Sequence, residues 1–213
     1  MRKKKLRLPG NKYEKQFWQQ KKIVAGIDEA GRGPLAGPVC AAALILPENF
    51  RNTFKISDSK VLNHDEHLSV YMKLKEKAIF AFDMIDNDTI DKLNILQATL
   101  LAMKNAVMKL SQGPEFLLVD GNYFLGFGIP YKTIVKGDSK SVSIAAASVI
   151  AKLMRDKYMT EVADAEYPEY GFANHKGYAT KKHFKAIEEY GLCPLHRKSF
   201  LKRHYSDQLS LFE

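Results

Sequence analysis

Asp28 and Glu29 close an apolar run that begins Ile23–Val24–Ala25, and Gly31–Arg32–Gly33 follows at once. Two carboxylates at one strand terminus can hold a divalent metal ion, and backbone kept bare by Gly31 and Gly33 can approach a ligand closely. Two more acid-bearing segments come later, Leu117–Leu118–Val119–Asp120–Gly121 and Lys136–Gly137–Asp138. Asp28, Glu29, Asp120 and Asp138 are therefore candidate metal ligands. An all-oxygen donor set favours Mg²⁺ or Mn²⁺ over Zn²⁺, and the sequence has no clustered His/Cys pattern of the zinc type. Two such ions roughly 4 Å apart can bridge a phosphodiester, one activating water and the other stabilising the leaving oxygen, so no covalent nucleophile is needed. On the residues alone Asp156 is a rival fourth ligand. Its neighbours Lys152, Arg155 and Lys157 offer it a surface ion pair instead. Adjacent strand residues point to opposite faces. Asp28 and Glu29 can share one site only if the chain bends at the strand end or Glu29 reaches round from the rim.

Positioning these acids requires strands. Residues 23–28 and 39–46 read as buried strands joined by a Gly/Pro-rich turn through Gly33, Pro34, Gly37 and Pro38. Ala78–Ile85 is a third strand, and Phe116–Val119 and Tyr131–Val135 are short strands that end just before acids. His64–Lys77 reads as a helix polar on one side. Asp91–Leu110 reads as one stronger helix with Leu93, Leu96, Leu100, Leu101, Met103 and Val107 in a broad stripe. Val142–Tyr158 reads as a helix whose Ala145, Ala146, Ala147, Ser148 and Ala151 permit close approach to a sheet. Thr180 caps a further helix that runs through Tyr190. The pattern is α/β, an early antiparallel portion followed by β–α–β connections, with acids at strand C-terminal ends where open α/β sheets place their sites.

The 213 residues, 46% of them apolar, suffice for one sizeable core. The net charge of +9, from 33 Lys and Arg against 24 Asp and Glu, favours a polyanionic partner, nucleic acid or anionic membrane. Joined to the carboxylates, it favours nucleic acid. Cys40 and Cys193 form no metal-binding pair and no secreted disulfide framework. Residues 1–8 lack the apolar region of a signal peptide, and the longest apolar stretch, Val39–Pro47, is too short to span a bilayer. The expectation is a soluble, cytoplasmic protein and, with no dimerisation pattern, a monomer.

The sequence resembles the bacterial ribonuclease HII family. The residues that carry the resemblance are Gly26–Ile27–Asp28–Glu29–Ala30–Gly31–Arg32–Gly33–Pro34–Leu35–Ala36–Gly37–Pro38–Val39, Asp58–Ser59–Lys60, Val119–Asp120–Gly121, Lys136–Gly137–Asp138, Ser143–Ile144–Ala145–Ala146–Ala147–Ser148, Ala151–Lys152 with Arg155–Asp156, His175–Lys176–Gly177–Tyr178 and His196–Arg197–Lys198–Ser199–Phe200. The resemblance implies a ribonuclease H-like fold: a five-stranded mixed sheet flanked by helices, with a small helical C-terminal region. It divides the chain into a basic N-terminal arm (1–19), a catalytic domain (20–190), a helical and basic extension packing near the substrate groove (191–207) and a tail (208–213). It implies an Mg²⁺- or Mn²⁺-dependent endoribonuclease that cuts RNA in RNA–DNA hybrids and incises 5′ to single ribonucleotides in duplex DNA, leaving 3′-hydroxyl and 5′-phosphate. Asp28, Glu29, Asp120 and Asp138 match the family's catalytic acids, which selects Asp138 over Asp156. Gly31, Arg32 and Gly33 match the motif that reads the ribose 2′-hydroxyl, and Tyr178 the tyrosine that packs on the deoxyribose at the RNA–DNA junction. Lys60, Ser143, Ser148, Lys152 and Arg155 are expected to extend a track along the duplex. His175 and His196 are read as a turn residue and a structural histidine.

Gln208–Leu209–Ser210–Leu211–Phe212 resembles the short peptide with which bacterial proteins dock on the DNA polymerase sliding clamp, Gln208, Leu209, Leu211 and Phe212 being the anchors. The competing expectation is that the apolar residues fold back on the core. Two other functions remain in competition. A ribonuclease HIII-like enzyme would cut only longer hybrids; only some 20 residues precede the first strand, too few for that type's extra N-terminal domain, and Tyr178 fits the HII type better. A non-catalytic hybrid-binding module would have a damaged acid set, and all four acids are present.

Overall fold

The structure, a computed structural model, describes residues 8–54, 56 and 64–202. Asp58–Ser59–Lys60, the basic residues 2–7 and the tail Gln208–Phe212 lie outside the described residues.

Five strands form one mixed sheet: β1 (Val24–Ala30), β2 (Val39–Ile45), β3 (Ile79–Ile85), β4 (Phe116–Asp120) and β5 (Tyr131–Ile134), in the order β3-β2-β1-β4-β5. β1, β2 and β3 pair antiparallel, whereas β1–β4 and β4–β5 pair in parallel. The period of two is clean. Val24, Cys40, Ala42 and Leu44 face a core shared with helices α2 (His64–Lys77) and α5 (Val142–Tyr158). Ala25, Ile27, Val39, Ala41 and Ala43 face a second core beneath α4 (Ile95–Met108). The small residues of α5 let it lie hard against β1. A Cβ on Gly26 would stand 2.2 Å from the backbone carbon of Ser143.

The single helix expected over Asp91–Leu110 is two, α3 (Asn87–Leu93) and α4. Asn94 breaks it. Its φ is +71°, and its side chain accepts from the N–H groups of Leu96 and Gln97 at 3.0 and 3.1 Å, so it serves as the N-cap of α4. Of the expected stripe, Leu100, Met103 and Val107 are buried, whereas Leu93 and Leu96 beside the break are exposed.

The stretch expected as a basic arm includes a packed helix, α1 (Lys12–Trp18), with Trp18 buried. Buried Glu14 accepts from the Ser141 hydroxyl at 2.5 Å and from the Ser143 hydroxyl and N–H at 2.7 and 3.0 Å, placing a carboxylate at the positive end of α5. After α5 come a π-helical turn (Met159–Ala163), one-turn helices α6 (Asp164–Glu166) and α7 (Phe172–His175), α8 (Lys181–Tyr190) and a helical turn at 198–202. Thr180 caps α8 by accepting from the His183 N–H. These pieces enclose a third, smaller core built around Phe172, Met159 and Leu201. Among the described residues no helix is long and apolar enough to cross a membrane.

Candidate active site

The parallel register of β1 and β4 sets Ile27 beside Val119, so that Asp28 and Asp120 follow side by side at the strand ends. Asp28 shares the strand phase of Val24 and Asp120 that of Leu118, residues of the core beneath α5. Both acids therefore lie on the α5 face. Asp28 is 5% exposed. One carboxylate oxygen accepts the Glu29 N–H at 2.7 Å, and the Ser148 hydroxyl of α5 donates to the same side chain. Burial, reinforced by the charges of Glu29 and Asp120, pushes the Asp28 carboxyl well above its ordinary value of 3.8. An Asp120 oxygen accepts the Gly137 N–H at 2.6 Å. That bond ties the end of β4 to the turn Gly137–Ser139, which carries the nearly buried Asp138.

Glu29 arrives from the other side. The β1–β2 ladder runs on through Asp28↔Ala42 and Glu29↔Ala41, so the chain does not bend off before the acids. Glu29 reaches in from the rim, beside a hollow it shares with Thr99, Asp120 and Tyr123, and pairs with Arg32 at 3.3 Å. Among the described residues no three His, Cys, Asp or Glu close into a ready-made metal cage. The donor set nevertheless fits a hard divalent ion. Every ligand is oxygen, and a cation would relieve the repulsion that Glu29 and Asp120 impose on buried Asp28. Mg²⁺ retains several waters and needs only one or two carboxylates at a time.

Beyond β1 the chain turns through Gly31, whose φ of +90° and contact with Arg155 leave no room for a side chain: a Cβ would stand 2.0 Å from the Arg155 Nε. Gly33 lies under the half-exposed ring of Tyr178, whose Cε1 would be 4.0 Å from a Cβ there. Arg32 extends outward, its side chain 48% exposed. Gly31, Arg32 and Gly33 thus share one wall beside the acids with Tyr178, which is distant in sequence.

Several residues expected along a duplex track lie elsewhere. Arg155 is 1% exposed and gives its donors to the carbonyls of Pro38, Ala36 and Lys176 at 2.8, 3.2 and 3.1 Å; it braces the glycine loop from beneath and is not a surface phosphate contact. Ser143 is buried and bound to Glu14, so it cannot meet a duplex. Ser148 is buried and reaches Asp28. Lys152, 29% exposed, pairs with Asp156 at 2.5 Å, the ion pair that the sequence offers as the alternative role for Asp156. Lys60 and the tail residues lie outside the described residues.

Two features go beyond what the sequence assigns to Arg197, a motif residue, and to His196, a structural histidine. The first is Arg197, fully buried, which donates to Gly31, Arg32 and Gly37 carbonyls. The second is a histidine chain under Tyr178. His183 Nδ1 faces the Tyr178 carbonyl at 2.9 Å, so it carries the proton; His183 Nε2 must then accept from His196 Nε2 at 3.1 Å. His196 Nδ1 in turn accepts the Cys193 N–H at 3.0 Å. The Cys193 carbonyl also lies 3.2 Å from His196 Nδ1, and burial favours the neutral form of both rings. His175 stacks on His183 at 4.5 Å and bonds the Tyr170 carbonyl at 2.9 Å. Burial holds all three below the usual histidine value, His183 at about 4. The unfolded chain binds protons at these rings near pH 6.5 and the folded chain does not. Folding stability is thus full above pH 6.5 and falls as the pH drops toward 4. In urea unfolding, the change in midpoint from pH 7.5 to pH 5 should be less favourable for the wild type than for His183→Gln, which lacks the buried ring.

A family model described as "Ribonuclease HII" matches residues 25–207. A curated ribonuclease HII of Chlorobaculum tepidum is 52% identical over 201 residues, covering 92% of this chain and 98% of that protein. One from Chlorobium phaeobacteroides is 53% identical, covering 88% and 94%. Among solved structures, the ribonuclease H2 of Pyrococcus horikoshii superposes with a TM-score of 0.70 at 23% identity, over 83% of this chain and 93% of that one. A ribonuclease HIII named Bst superposes less well, with a TM-score of 0.61 at 21% identity, over 82% and 65%. Below 25% identity these superpositions speak to the fold, which is ribonuclease H-like.

Proposed function

Because the chain belongs to the ribonuclease HII family, metal-dependent endoribonucleases of the ribonuclease H type, we propose that it cleaves RNA in RNA–DNA hybrids and incises duplex DNA immediately 5′ to a single embedded ribonucleotide. The observation that carries the finer part is the wall of Gly31, Arg32, Gly33 and Tyr178 standing beside the paired acids. Two divalent ions, Mg²⁺ or Mn²⁺, supply an activated water and a stabilised leaving oxygen when bound. Asp28, Glu29, Asp120 and Asp138 hold them, and the Ser148 hydroxyl keeps the Asp28 carboxylate in place.

Bare backbone at Gly31 and Gly33 meets the 2′-hydroxyl, which both donates and accepts and so marks RNA. The Arg32 guanidinium can exchange its 3.3 Å contact with Glu29 for a forked contact to a phosphate. Tyr178 packs on the sugar 3′ to the ribonucleotide and favours one that lacks a 2′-hydroxyl. Lys60 and Lys152 extend the contacts to the backbone, Lys152 by releasing Asp156. Water attacks the phosphorus and the P–O3′ bond to the preceding nucleotide breaks, which leaves a 3′-hydroxyl on that nucleotide and a 5′-phosphate on the ribonucleotide. The tail Gln208–Phe212 docks on a bacterial sliding clamp, which would raise the local concentration of the enzyme on new DNA. A structure of an archaeal ribonuclease HII with PCNA shows that a related fold binds a clamp. The enzyme works as a monomer in the cytoplasm.

The test is a DNA duplex with one ribonucleotide, incubated with Mg²⁺, with Mn²⁺ and with chelator. Metal-dependent incision immediately 5′ to the ribonucleotide is the expected result. Cutting confined to long hybrids would replace this reading with ribonuclease HIII-like specificity, and no cutting of either would replace it with a binding module.

A further inference from the structure

Arg197 sits beneath the glycine loop, wholly buried, on a segment 160 or more residues away in sequence. Its Nη2 donates to the Gly31 carbonyl at 2.7 Å, its Nη1 to the Arg32 carbonyl at 3.1 Å and its Nε to the Gly37 carbonyl at 2.9 Å. The backbone beside it is locked to the same loop. The Arg197 N–H donates to Leu35 at 2.8 Å, the Gly37 N–H donates to Leu195 at 2.9 Å, and Ala36 and His196 form an antiparallel bridge. Arg155 holds the other half of the loop through Ala36 and Pro38. Among the described residues neither guanidinium has a carboxylate within ion-pair distance. Two buried cations so close together are costly: burial and the neighbouring Arg155 charge lower the Arg197 guanidinium to about 9, still protonated at neutral pH. A fold has little reason to retain such a pair for stability alone.

The direction of the carbonyls supplies a reason. In a planar trans peptide the C=O and the following N–H point opposite ways. A Gly31 carbonyl drawn inward turns the Arg32 N–H outward, and an inward Arg32 carbonyl does the same for the Gly33 N–H. Among the described residues no acceptor takes either N–H. We infer that Arg197 is a positioning residue for ribonucleotide recognition, its fork turning the Arg32 and Gly33 N–H groups toward the substrate as donors for the 2′-hydroxyl and its phosphate. This rests on the ribonuclease HII reading. Arg197 touches no substrate; it sets which way two peptides face.

Arg197→Lys keeps the buried charge and loses the fork. Three readouts separate orientation from general damage. They are the Kd ratio between an all-DNA duplex and one with a single ribonucleotide, measured with Ca²⁺ by fluorescence anisotropy; kcat and KM for incision; and the rise in Tm on adding Mn²⁺. The expected result is a Kd ratio that falls toward one and a kcat/KM about 100-fold lower, with the Mn²⁺-induced rise in Tm retained. Wild-type discrimination in Arg197→Lys, or loss of the Mn²⁺ response together with cleavage, would overturn the inference. Should that variant fail to fold, hydrogen exchange on the wild type decides. The Arg32 and Gly33 amides should be protected by the ribonucleotide duplex and not by the all-DNA duplex; equal protection overturns the inference. A wild type that neither incises nor discriminates overturns the functional reading itself, and this inference falls with it.

Discussion

Asp28→Asn should lower incision by roughly 1000-fold or more and at the same time raise the Tm of the metal-free protein. Both effects come from one buried carboxylate. Asp28 is 5% exposed, and burial and the charges of Glu29 and Asp120 hold its pKa well above 3.8. Above pH 3.8 the unfolded chain ionises this residue freely, whereas the folded chain must do so against two like charges. The penalty therefore grows as the pH climbs from 3.8 toward the folded value and is fully present above it. An amide removes the charge and still accepts from the Glu29 N–H and the Ser148 hydroxyl. It is a poor ligand for a hard cation, so the Mn²⁺-induced rise in Tm expected of the wild type should shrink or vanish. Differential scanning calorimetry with and without Mn²⁺, run beside the incision assay, checks both halves. A metal-free Asp28→Asn less stable than the wild type would show that burial and the neighbouring charges do not penalise the ionised Asp28 carboxylate in the fold.

The second large effect concerns Gly26. A Cβ there would stand 2.2 Å from the Ser143 carbon, 2.4 Å from its oxygen and 2.5 Å from the Ile144 nitrogen. All three are backbone atoms of α5, so no rotamer change relieves the clash. Gly26→Ala must push α5 off β1. Overpacking of this kind costs about 3 kcal/mol or more, and for a domain of this size each kcal/mol moves Tm by about 2–4 °C. The Tm should fall by about 6–12 °C. Activity should fall further than stability alone implies, because Ser148 on the same helix would be carried away from Asp28. Gly113→Ala, where nothing lies within 4 Å of an added Cβ, is the control and should leave Tm nearly unchanged.

The parts of this molecule legible in its sequence are those that a local pattern encodes. Apolar runs ending at acids gave the strands. The small-residue run of α5 announced a close approach, and Thr180 announced a helix start. Asn94 defeated the pattern, because an apolar stripe passes through it without a gap while its side chain caps the helix that follows. Polarity misled in α5. Ser143 and Arg155 look like surface residues by type, but the partners that let them be buried are Glu14, 129 residues away, and backbone carbonyls, which no side-chain pattern reports. Arg197 belongs to a sequence motif, but its role depends on which carbonyls lie above it, and only the folded chain reveals that. The opposite faces of Asp28 and Glu29 follow from period two, whereas the route by which Glu29 reaches the site needed the continued ladder through Ala41.

The closure of the glycine loop by the segment 195–197 has a consequence for how the enzyme is made. The sheet and its acids are complete once residues up to Tyr158 have been synthesised, since β1 to β5 and α5 all precede that point. The loop at 31–37 is then still without the bonds to Leu195 and Arg197 that hold its shape. A nascent chain therefore carries the four acids proposed to hold metal before its glycine loop takes its final shape.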